Sequence, residues 1–201
     1  KNGLAVVEVS MSLPVVGAAY QLRYTVNGSG KIQVEALYKP KKEKIPLMPK
    51  FGMRMRLPSS MDYVKWYGRG EFENYPDRKT AALVGYYTTD LNSFVTDYAF
   101  PQDNANRCDV RWFSLNDKEN RTIKVTGLQP LCFRVWPYGE EDLEKNRHAY
   151  ELPVRDYVNV NIDLNIHGVG GADSWGARTL DEYTMDGNQA YYYGYLMEYY
   201  D

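Results

Sequence analysis

Ten prolines, at positions 14, 40, 46, 49, 58, 76, 101, 130, 137 and 153, cut the chain into short runs, and inside those runs apolar and polar residues alternate. Proline locks φ and carries no N–H, so it breaks helices and belongs in turns and at strand edges. Alternation with a period of two puts every second side chain on one face of a strand. Tyr20–Val26 and Ile32–Tyr38 alternate on either side of Asn27-Gly28-Ser29-Gly30, the pattern of a hairpin. Leu4–Met11, Met53–Leu57, Asp62–Tyr67, Val110–Leu115, Thr122–Thr126, Leu131–Pro137, Tyr157–Ile166 and Ala190–Tyr199 are further strand candidates. Only Glu140–Asn146 looks helical: its acids come first, and Lys145 and Arg147 sit near its end, as the helix dipole prefers. Strands joined by turns, with no alternating helices, predict an all-β sandwich or barrel.

Composition removes several function classes. The 24 Lys and Arg nearly balance 26 Asp and Glu, so no broad positive field exists for nucleic acid. No run approaches the ~18 apolar residues of a membrane-spanning helix. Two cysteines are too few for a disulfide-dense scaffold or a four-Cys zinc site. His148 and His167 lie in separate segments without a carboxylate or Cys at ligand spacing. The expectation is therefore no metal and no cofactor in this chain.

Candidate chemistry is sparse. Cys108 and Cys132 carry no nucleophile signature; Cys132 reads as core and Cys108 as partly exposed. Ser174 lies in Gly170-Gly171-Ala172-Asp173-Ser174-Trp175-Gly176, which is not a Gly-x-Ser-x-Gly elbow. Its glycines point to tight turns, and the loop offers Trp175 as a ligand platform. Glu71 with Glu73, and Glu140-Glu141-Asp142, read as solvated acids. Glycosidase chemistry needs two carboxylates facing each other about 5–9 Å apart, which neighbours in one loop do not supply. Pro76-Asp77-Arg78 reads as a turn with a carboxylate clasped by a guanidinium. The 19 tyrosines read mostly as sandwich packing with hydroxyls at wet edges.

Three longer motifs then carry a resemblance. Trp66-Tyr67-Gly68-Arg69-Gly70-Glu71-Phe72-Glu73-Asn74-Tyr75-Pro76-Asp77-Arg78 is the first. Phe100-Pro101-Gln102-Asp103-Asn104-Ala105-Asn106-Arg107, continuing to Asp109-Val110-Arg111-Trp112, is the second. Asn161-Ile162-Asp163, followed by Gly168-Val169-Gly170-Gly171-Ala172-Asp173-Ser174-Trp175-Gly176, is the third. In order and spacing they resemble the C-terminal domain of glycoside hydrolase family 2 β-galactosidases. This chain departs from the family pattern at Glu71 (usually Pro), Asp103 (Glu), Ala105 (Gly) and Ala172 (Asp).

The resemblance implies an antiparallel β-sandwich of the galactose-mutarotase-like (supersandwich) type, shortened at its N-terminus. It implies that residues 1–201 form one domain at the C-terminal end of a larger multidomain enzyme. That enzyme would hydrolyse terminal β-D-galactose residues with retention, its two catalytic carboxylates lying in a separate barrel. This fragment would be inactive alone. It would complete the sugar pocket through Trp175, with Asp173 and Ser174 shaping the loop. The expected partner is a galactoside bound together with the barrel, with no nucleic acid or membrane partner. A homo-oligomeric full-length enzyme fits the resemblance, and the compartment stays open between bacterial cytoplasm and periplasm. Two other readings stand beside it. The exposed aromatics suit a stand-alone carbohydrate-binding module, and the related fold also hosts aldose epimerases.

Overall fold

The computed structural model describes residues 3–171, 173 and 175–201. Ten strands run in chain order as β1 (Ala5–Leu13), β2 (Ala18–Val26), β3 (Ile32–Pro40), β4 (Lys50–Pro58), β5 (Tyr63–Gly70), β6 (Leu83–Asp90), β7 (Arg107–Asn116), β8 (Thr122–Trp136), β9 (Tyr157–Ile166) and β10 (Tyr191–Tyr200). Two short helices, α1 (Leu91–Phe94) and α2 (Glu140–Lys145), sit between them. Every strand pairing is antiparallel. The main path is β1-β2-β3-β10-β8-β7-β5-β6, and β9 branches from β8 to carry β4.

The branch explains the architecture. Thr122–Thr126 and Leu131–Pro137 read as two strands in the sequence, yet β8 is one strand of 15 residues that runs through Gly127 and Pro130. Its first half pairs with β10 over Thr122–Gly127. Its second half pairs with β9 over Cys132–Trp136. Proline cannot donate to a ladder, and the partner changes around it.

The β4–β9 pair then lies face to face with β2, β3 and β10. Phe51 of β4 meets the rings of Tyr20, Tyr38, Tyr191 and Tyr193, with centroids 5.4–6.1 Å apart. The buried Tyr193 hydroxyl donates to the Ile162 carbonyl oxygen of β9 at 3.1 Å. Burying one such ring stabilises the fold by about 1.5–3 kcal/mol. The same core continues between β5, β7, β8 and α1: Phe113 stacks on Phe133 at 4.4 Å, and Trp66 packs edge-on against Phe94 at 5.5 Å.

Several expectations need correction. Leu83–Asp90 is a strand that the sequence did not reveal, because as an edge strand it buries neither face fully and shows no apolar stripe. Asp90 then caps α1, its carboxylate accepting the Ser93 N–H at 2.9 Å. Cys108 is buried, not partly exposed. Asp142 is also buried rather than solvated. It accepts the Gly139 N–H at 2.8 Å and holds Arg155 at 2.5 Å, and the Arg155 hydrogen bond keeps its carboxyl below the usual range. β10 is last in the chain but central in the sheet, between β3 and β8.

Candidate functional site

The three sequence motifs converge at one end of the β5–β7–β8–β9 region, and their own side chains stitch them together. The chain leaves β5 at Gly70 and turns Glu73 and Asn74 inward; both are buried. Asn74 N–H donates to the Asn106 carbonyl at 2.8 Å, and Asn106 Nδ2 donates back to the Asn74 carbonyl at 2.7 Å. Asn74 Oδ1 accepts the Cys108 N–H at 2.8 Å. Glu73 is therefore no solvated acid, as the sequence suggested. One of its oxygens accepts Arg78 Nη2 at 2.6 Å and the Tyr98 hydroxyl, and the other accepts the Ala105 N–H at 2.8 Å. Ala105 has φ of 63°, in the left-handed region. That conformation costs a non-glycine residue roughly 1–2 kcal/mol, which explains why the family motif places Gly there.

The second and third motifs meet through an ion triad in which Arg134 and Asp163 are buried and Asp103 is half-buried. Arg134 on β8 is fully buried and donates Nη2 to Asp163 Oδ2 at 2.6 Å. Its Nη1 donates to Asp103. Asp103 also accepts the Tyr75 hydroxyl at 3.2 Å, which brings in the first motif. Burial pushes the Asp163 carboxyl above its usual value, although Arg134 opposes the shift. Arg107, stacked on Phe94 at 4.2 Å, donates to the Ala105 carbonyl at 3.1 Å. Burial lowers its pKa to about 10.

Asp77 makes the connection that matters most for the loop. The sequence suggests that Arg78 clasps it, but Arg78 turns to Glu73 instead. Asp77 accepts the Val169 N–H at 3.1 Å, the Gly170 N–H at 2.6 Å and the Thr179 hydroxyl at 3.2 Å. Two of the loop's glycines make room for it. A Cβ on Gly168 would lie 2.7 Å from the Asp77 carboxyl carbon, and one on Gly170 would lie 3.0 Å from Oδ2. Asp77→Ala should therefore free the Val169 and Gly170 amides. Hydrogen exchange followed by mass spectrometry should show their protection fall while that of β9 stays; unchanged protection at both amides would contradict the clamp.

Beyond the clamp the loop presents its aromatic. Asp173 Oδ1 accepts the Trp175 N–H at 2.7 Å and the Ala177 N–H at 3.2 Å, an Asx-type turn. Trp175 is 92% exposed. Of the three residues expected at the sugar site, Trp175 and Asp173 thus share one loop, and Ser174 lies outside the described residues, as does Ala172. Thr179 and the partnership of Asp77 with this loop are not visible in the sequence. The available signal was a pair of glycines at 168 and 170 that nothing local requires. Chemically, the arrangement offers a flat indole on a backbone fixed at two points. Such a ring can cover the apolar C–H face of a sugar.

The family described as beta galactosidase small chain matches residues 1–197. A β-galactosidase of Priestia megaterium is 34% identical over 186 residues, covering 92% of this chain and 18% of that protein. One from Pseudoalteromonas haloplanktis is 38% identical over 173 residues, covering 86% of this chain and 16% of that protein. The chain thus spans less than a fifth of the length of these curated relatives. Among solved structures, a GalM/aldose epimerase homologue from C. elegans superposes with a TM-score of 0.51. It covers 98% of this chain and 66% of that one at 9% identity, a likeness of fold alone. The antiparallel sandwich is accordingly of the galactose-mutarotase-like type, and the chain belongs to the β-galactosidase small-chain family.

Proposed function

We propose that this chain is a single C-terminal domain of a retaining β-galactosidase. In this reading a barrel elsewhere in the enzyme supplies the acid/base and nucleophile carboxylates that cleave terminal β-D-galactosides. The domain's own contribution is one wall of the sugar pocket. One observation carries this reading: an indole left 92% exposed stands on a loop whose backbone Asp77 and Asp173 hold in place. Covering such a ring gains the free energy of burying its apolar surface, and a galactose ring has the matching apolar face. Asp173 sets the turn, Ser174 follows it in the loop, and neither is assigned a catalytic role.

The test uses the isolated chain beside the full-length enzyme. The isolated chain should show no turnover of a chromogenic β-galactoside and no heat on titration with galactose or lactose. Turnover by the pure chain would overturn the division of labour. A clear heat without turnover would instead favour a stand-alone sugar-binding module.

A further inference from the structure

Cys108 and Cys132 are the only two cysteines in the sequence. Both are free and buried, and their Sγ atoms lie 3.5 Å apart. The sheet holds them in that position. Arg107 of β7 pairs with Phe133 of β8, and Cys108 and Cys132 are the next residues on the two strands, where the register shifts. A disulfide holds its Sγ atoms about 2.05 Å apart, so the contact at 3.5 Å leaves about 1.5 Å to close.

The local backbone suits a cross-link as well. The ladder shifts register between Arg107 and Val110, and Asp109 has φ of 52°. The Cys108 N–H turns away from β8 to Asn74 Oδ1. Bringing the sulfurs together therefore breaks no ladder bond at Cys108. A cavity of about 450 Å³, lined by Lys79, Asp109 and Asn165 among others, reaches both cysteines. The hydrogen bond to Cys108 and burial both push the Cys132 thiol up. A protonated thiol is a poor nucleophile, so the sulfur that attacks an oxidant is that of Cys108, which the cavity also reaches, and Cys132 resolves.

We propose that Cys108 and Cys132 are a modification site: a buried dithiol that small hydroperoxides convert to an intramolecular disulfide. One sulfur attacks the O–O bond of the hydroperoxide ROOH. It becomes a sulfenic acid, and ROH leaves with the thiol proton. The second sulfur attacks the sulfenic sulfur, the S–S bond forms, and hydroxide departs as water with the second thiol's proton. The two electrons lost by the thiols reduce the peroxide bond. The new bond would tie β7 to β8 beside Asn74 and Asn106, the seam between the first two motifs.

The experiment treats the native protein with hydrogen peroxide, then unfolds it and alkylates the remaining thiols. Near-UV circular dichroism is recorded throughout to confirm that the fold persists. Both alkylation sites should vanish together, a peptide pair linked through Cys108 and Cys132 should appear, and dithiothreitol should restore both thiols. In Cys132→Ser, the remaining Cys108 should collect oxygen adducts instead. Four outcomes overturn the proposal: thiols that stay alkylatable, oxygen adducts without a link in the unmodified sequence, a link between molecules, or a link that forms only as the native spectrum is lost. The peptide map of the unmodified sequence decides the matter even if the variant fails to fold.

Discussion

Replacing Trp175 by alanine in the full-length enzyme should lower kcat/KM for a β-galactoside by about ten- to a hundredfold, with most of the loss in KM. The magnitude follows from surface. Covering a large aromatic side chain is worth roughly 1.5–3 kcal/mol, and each ~1.4 kcal/mol is a factor of ten. A ring that covers substrate and transition state alike contributes uniform binding, so the loss falls chiefly on KM. Trp175→Phe should recover part of it. The isolated domain gives the control: at 92% exposure Trp175 supports no packing, so its removal should leave the melting temperature unchanged. Unchanged kinetics in the full-length variant would remove Trp175 from the pocket. Lost kinetics together with a lowered melting temperature would point to a structural role.

Replacing Arg134 by methionine should have the largest effect on stability, about 3–5 kcal/mol. For a domain of this size that is a fall of about 10 °C in Tm. Arg134 is fully buried and Asp163 nearly so, and Asp103 completes the triad. Without the guanidinium, Asp163 is left as a buried carboxyl with no bonded cation, Lys50 acting on it only through space, and the penalty is largely that of desolvation. The double variant Arg134→Met with Asp163→Leu should recover part of the loss, because the stranded charge is gone. A surface pair shows the contrast. Arg23 and Glu8 lie 3.7 Å apart with both side chains well exposed, and Arg23→Ala should cost under about 1 kcal/mol. Thermal unfolding of the four proteins checks the set. A melting temperature for Arg134→Met within a degree or two of the parent would refute the assigned role of the triad.

Much of the sheet is visible in the sequence because alternation is a local property. A strand's geometry alone fixes which side chains share a face, so Tyr20–Val26, Ile32–Tyr38 and Tyr157–Ile166 identify themselves as strands. What alternation leaves open is which faces become covered. On β9, Val158, Val160 and Ile162 form the expected core face, but Asn159, Asn161 and Asp163 on the opposite face are buried just as deeply. The second motif places Asp103 over that face and brings it to Arg134. The edge strand β6 hides for the complementary reason, since one face is exposed and the other only half-buried, which erases the apolar stripe.

The site divides along the same line. By itself the sequence determined an all-β chain, three motifs in family order, and a glycine-rich loop carrying Trp175. Only the tertiary structure decided that Asp77 serves the loop and that Arg78 serves Glu73. Asp77 lies 92 to 102 residues from its three partners. Backbone geometry within a strand or turn reaches only a few residues along the chain, whereas hydrogen-bond partners are chosen by what the folded sheet brings within about 3 Å.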